Sequence, residues 1–171
     1  SIVTKWMLPN SIVVVQEIKL VGKTAKFTIK VMNRGTRSVN VKIRLLFDYQ
    51  VGDQDGAPIY LEGKGILTHE TRYIGEEIDF NRWFTRDYHD STYTLQGEHI
   101  IGTRPYMIIF ANWAWARRYA FDYDKFNSSR RFYTPGEIRS PKSDSCALLY
   151  WNLGTISPGK SAEVTTYYGV G

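Results

Sequence analysis

From Val39 to Asp48 the chain alternates: Val39, Val41, Ile43, Leu45 and Phe47 are apolar, Asn40, Lys42, Arg44 and Asp48 are polar, and Leu46 is the single break. A period of two belongs to a strand with one face in a core and one in water, whereas a helix spaces its apolar residues by three and four. The same reading predicts strands at Ile12 to Leu20 and Lys26 to Met32. Val21-Gly22-Lys23 and Asn33-Arg34-Gly35 supply the turns, the second through positive-φ residues, so an antiparallel meander is expected. Tyr106 to Trp113 is a near-continuous apolar run, suited to a central strand covered on both faces. Two further strands, Ala147 to Trp151 and Ala162 to Tyr168, are joined through Gly154, Pro158 and Gly159.

Regularity weakens from Asp48 to Glu98, where Gly52, Gly56, Gly63, Gly65 and Gly75 punctuate the chain. Short strands are predicted at Arg72 to Ile74 and Thr92 to Leu95, with at most two helical turns near Phe80 to Phe84. About seven to nine strands without alternating long helices predict an all-β fold. It is an antiparallel β-sandwich, immunoglobulin-like or a larger two-sheet one, with long loops, forming a single domain over residues 1–171.

Composition adds two constraints. No apolar run approaches the roughly 20 residues of a membrane-spanning helix, and Cys146, the only cysteine, excludes an internal disulfide and a Cys-based zinc cluster. Beside Ala147, Leu148 and Leu149 it reads as a buried thiol, and it says nothing of compartment. The start at Ser1, without Met, suits a processed or trimmed form. The net charge of +5 is concentrated: residues 104–142 hold eight Lys or Arg against Asp122, Asp124 and Glu137.

That segment supplies the main binding candidate. In an extended chain Trp113 and Trp115 share a face, a platform for sugar rings or unstacked bases, with Arg117, Arg118, Arg130 and Arg131 as donors to acidic groups. The competing reading places the two Trp in the core and the Arg in water. Asp48, Asp53 and Asp55 surround Gly52 and Gly56, where hard oxygens suit Ca²⁺, the one cofactor suggested; turn-capping Asp residues are the alternative. Lys64 stands where a twelve-residue calcium loop begun at Asp53 requires Glu. His69, His89 and His99 match no metal spacing. Glu76, Glu77 and Asp79 suit a glycosidase only if two carboxylates face across a cleft. Asn127-Ser128-Ser129 fits a glycosylation acceptor, conditional on secretion.

Lys26 to Phe47 and the stretch from Leu153 to Thr165 resemble the opening and close of immunoglobulin-like modules in archaeal and bacterial surface proteins. Residues 47–58 and the terminal Thr166-Tyr-Tyr-Gly-Val-Gly resemble a surface-associated prokaryotic domain of uncharacterised function. The likeness covers about a third of the chain and omits residues 99–145. It implies an extracellular or cell-surface module, non-enzymatic, with a structural or adhesive role and with other surface proteins or glycans as partners. Self-association through edge strands fits the same picture. A carbohydrate-binding module using the Trp and Arg residues is the alternative, with nucleic-acid binding and glycoside or sugar-epimerising chemistry behind it.

Overall fold

The computed structural model describes residues 1–86, 96–134 and 143–171. The expected strand at Thr92 to Leu95 and His89 lie outside them. Twelve strands form two antiparallel sheets, a two-sheet sandwich of the larger kind.

The larger sheet contains β1 (Ile2–Leu8), β2 (Ile12–Val21), β3 (Thr24–Asn33), β12 (Ser161–Val170), β9 (Gln96–Ile101), β8 (Arg82–Arg86), β5 (Ile59–Leu61) and β6 (Gly65–Leu67), in that spatial order. The smaller contains β4 (Val39–Tyr49), β11 (Ser145–Ile156), β10 (Met107–Asn112) and β7 (Thr71–Ile74). No helix among the described residues is long and apolar enough to cross a membrane.

Alternation is the rule that builds the core. On β4, Phe47 and Tyr49 point inward to Trp83 and Phe110, while Asp48 between them faces out. Val39, Val41 and Ile43 pack instead on Ile12, Val31 and Ile156, a second cluster at the other end of the same strand. β10 and β11 are covered on both faces, as their apolar runs require: Phe110 and Leu149 point between the sheets, and Ile109 and Leu148 point outward under Tyr123 and Trp113.

Three expectations change. The meander is broken because β4 pairs with β11, not β3; the link Arg34–Ser38 carries the chain from one sheet to the other without a positive φ. Asn33 anchors that crossing, its side-chain amide donating to the carbonyls of Arg37 and Ile156, both at 2.8 Å. Phe80 to Phe84 holds the start of β8 rather than a helix, and Ile2–Leu8, where the pattern predicts no strand, is a strand paired with β2.

Candidate functional site

The basic and aromatic segment packs over the outer face of the smaller sheet, at the end where β10 leads into it. Asn112 is followed not by extended chain but by one helical turn, α1 (Trp113–Ala116), and this overturns the geometry expected of the two Trp. Residues two apart on a helix point in divergent directions, so the rings do not form one platform. Trp113 is half-buried against the cluster around Tyr150, with the Arg117 guanidinium 4.5 Å from its ring centroid. Trp115 is 39% exposed and carries Arg130 at 4.4 Å and Arg118 at 4.9 Å. The rings thus carry the chain's own cations. Arg131 lies apart from this stack, in an isolated bridge with His69.

Glu70, which no sequence pattern singles out, organises the same end. Its side chain is fully buried; its Oε1 accepts from Tyr123 Oη at 2.8 Å and Arg130 Nη1 at 3.1 Å, and its Oε2 from the Asn127 backbone N–H at 2.9 Å. Burial, then the bond to Glu70, holds the Tyr123 phenol far above its usual range. Asn127 itself is exposed, its Oδ1 accepting from the Ser129 N–H.

Beside this network the carboxyl oxygens of Asp48, Asp55 and Asp144 lie within 4.8 Å of one another, an oxygen-rich set able to face a hard cation. Two of the three residues read as calcium ligands are brought together; Asp53 is outside the group, and Asp144 takes the third place. Burial first, then Asp48 and Asp55, pushes the Asp144 carboxyl up to about 7; burial and then Asp55 also raise Asp48. A group whose folded pKa exceeds its unfolded value contributes stability below the unfolded value and loses it as pH rises through the folded one. The melting temperature is therefore expected to fall between pH 4 and 7 through this group. Asp144→Asn should flatten that slope and raise the melting temperature at pH 8, which calorimetric scans across that range would register.

His99 is a core residue. Its Nδ1 meets Tyr49 Oη at 2.9 Å and its Nε2 meets Thr166 Oγ1 at 2.7 Å, with Trp83 stacked at 4.1 Å. Desolvation lowers its pKa to about 3, so it remains neutral and structural near neutral pH. Cys146 is likewise buried, its thiol pushed up by desolvation.

An open cleft lies on the outer side of the larger sheet. Its volume is about 520 Å³, lined by Glu62, Asp79, Phe80, Asn81, Arg82 and Ile100. Alternation puts it there: Trp83 and His99 face the core, so Arg82, Phe84, Glu98 and Ile100 face out. Arg82 Nε is 3.4 Å from Glu62 and its Nη1 is 3.3 Å from Glu98. Lys64 Nζ lies 3.0 Å from Asp79, and this hydrogen bond and charge hold the Asp79 carboxyl below its usual range. Next to the cleft Phe84 and Tyr60 lie 6.4 Å apart, with Arg82 over Phe84 and Arg86 over Tyr60. The cleft has the size of a small-ligand site and combines carboxylates, fixed cations and ring faces. Of the acidic trio at residues 76–79, only Asp79 reaches it.

No family model matches the chain, and no curated protein matches it by sequence. Solved structures do match in shape. One is a provisionally assigned aldose 1-epimerase of Escherichia coli K12, with a TM-score of 0.55 at 13% identity, covering 99% of this chain. Another is a galactose mutarotase-like protein of Lactobacillus casei ATCC 334, with a TM-score of 0.58 at 10% identity, covering 95% of this chain. The chain spans 64% of the length of each. The chain is thus an all-β sandwich similar in shape to these two structures. This corrects the expected non-enzymatic structural or adhesive role: the shape matched belongs to an aldose 1-epimerase, provisionally assigned, and to a galactose mutarotase-like protein.

Proposed function

We propose that this chain is a carbohydrate-processing domain that takes an aldose into the Arg82 cleft and catalyses exchange between its anomers. The observation that carries the reading is the cleft itself, where Asp79 and Glu62 lie with Arg82 on the outer face of the larger sheet. The likeness to an aldose 1-epimerase and a galactose mutarotase-like protein supports the reaction class.

The chemistry requires a base and a proton donor. A base takes the proton of the anomeric hydroxyl as the bond between C1 and the ring oxygen breaks and solvent water protonates that oxygen; after rotation about C1–C2 the freed hydroxyl attacks the opposite face of the carbonyl, returning its proton to solvent while the protonated base gives one back to the carbonyl oxygen, and the other anomer forms. Asp79, kept ionised by Lys64, is the base; Glu62 is the second carboxylate in the cleft. Arg82, tied to Glu62 and Glu98, presents a fixed guanidinium to sugar oxygens. Phe80 and Ile100, which line the cleft, give the sugar an apolar surface.

Saturation-transfer NMR with common aldoses tests binding. The wild-type chain should transfer magnetisation to at least one sugar, and Arg82→Ala should weaken that binding about tenfold, as the loss of a charge-assisted bond of 1.5 to 3 kcal/mol implies. No transfer to any aldose, or binding unchanged by Arg82→Ala, contradicts the assignment.

A further inference from the structure

The two sheets have unequal widths, eight strands against four. Beyond β4, the edge of the smaller sheet, the hairpin β1–β2 of the larger sheet projects, and among the described residues no strand covers β1, which is exposed throughout. The result is an open apolar groove of about 630 Å³. Trp6 and Leu8 of β1, Ile12 and Val14 of β2, and Val41 and Ile43 of β4 line it. Every residue of β1 is exposed, including Trp6 at 43% and Leu8 at 48%, and among the described residues no strand pairs with its outer backbone edge or with that of β4. Two free edges beside an uncovered apolar face are a liability in a soluble sandwich.

We propose that a second copy of this chain fills the groove, the two copies interleaving their projecting β1–β2 hairpins about a two-fold axis that runs along the strands between the layers. Each copy's β1 then adds to the edge of the other's β4, and each layer becomes a continuous sheet of twelve strands, eight from one copy and four from the other. The projecting hairpins cover one another face to face.

Strand directions agree with this arrangement. β1 is antiparallel to β2 and β2 to β3, so β1 runs with β3. β12 is antiparallel to β3, and β4 reverses β3 across the short link Arg34–Ser38. A two-fold axis along the strands preserves direction, so the added β1 pairs antiparallel with β4. This is a self-complementary, closed contact in which donor strand and acceptor edge belong to the same chain.

The area is sufficient. With strands about 4.8 Å apart and a rise of about 3.3 Å per residue, the face of a two-strand projection is about 10 by 23 Å. Covering it and closing two edges removes on the order of 600 to 800 Å² from each copy, close to what each partner of a stable complex buries. The surface is independent of the Arg82 cleft, so failure of either proposal leaves the other standing.

Sedimentation equilibrium combined with amide hydrogen exchange on the full chain is the test. The wild-type chain is expected to be a dimer in the micromolar range, with amides of both β1 and β4 protected as dimer forms on concentration. Trp6→Asp, at an exposed position, should weaken association about 100-fold, leave the far-ultraviolet circular dichroism unchanged and deprotect β1 and β4 together. Dilution of the unmodified chain gives the same readout without substitution. A monomer at all concentrations overturns the proposal and leaves the groove to a different partner. Protection confined to β1 means edge-to-edge pairing and also overturns it, as does growth into open-ended assemblies.

Discussion

Replacing Glu70 with Ala is expected to destabilise the protein by about 3 to 5 kcal/mol, the cost of removing one member of a buried ion pair. The carboxylate is fully buried and accepts from Tyr123, Arg130 and the Asn127 backbone. Its loss leaves a phenol, a guanidinium and a backbone N–H facing an emptied space. Those donors sit on the segment that covers the outer face of the smaller sheet, and the Glu70 N–H, just before β7, bonds to its Arg130 carbonyl at 2.8 Å. Glu70→Gln should lose less, because the amide oxygen still accepts. Arg130→Ala should cost a comparable amount, because it strands the carboxylate. In the double variant Glu70→Gln with Arg130→Ala, the loss should be smaller than the sum of the two single losses. Urea unfolding curves give each value; additive losses would mean that the two side chains do not act as a pair.

Asp79→Asn is expected to slow anomer exchange about 100-fold, the lower end of what a positioned general base supplies. The substitution preserves shape and removes the basic oxygen, so sugar binding should persist while turnover falls. Lys64 sharpens the test. It holds the Asp79 carboxyl below its usual range, so Lys64→Met should let that pKa rise and move the acidic limb of the pH–rate profile to higher pH. An Asp79→Asn variant with wild-type exchange would assign the proton transfer to another group.

The strands were legible where one face is dry and the other wet, as along β4 and β12, and where both faces are covered, as in β10. β1 escaped because it is exposed on both faces, so Val3 and Met7 on one side answer Trp6 and Leu8 on the other and no period of two results. Alternation also says that a face is buried without saying in which sheet, and for this reason β4 was read as the third strand of a meander. The crossing depends on Asn33 meeting Ile156, a contact 123 residues apart.

Sites followed the same division. Asp48 and Asp55 could be grouped because one loop holds them, whereas Asp144 joins them only through the β4–β11 pairing. Trp113 and Trp115 depend on backbone geometry: the extended chain assumed for them is a helical turn, whose end Arg44 fixes by donating to the Ala116 carbonyl at 2.9 Å. The Arg82 cleft draws Glu62 from the β5–β6 turn, Asp79 from the approach to β8, and Ile100 from β9. No spacing in sequence announces that convergence. Glu98 and His99 are adjacent, and only the side of the sheet each faces makes one a surface carboxylate and the other a neutral core residue.

Exchange of an aldose's anomers in the cleft around Arg82 is the activity proposed for this chain. Its most direct test is two-dimensional exchange NMR on the anomeric protons of glucose, galactose and related aldoses, with and without the full chain. Exchange cross-peaks are expected for at least one sugar, growing with protein concentration and collapsing with Asp79→Asn. Sugars that bind without faster exchange, or exchange rates identical to buffer for every aldose, would contradict it.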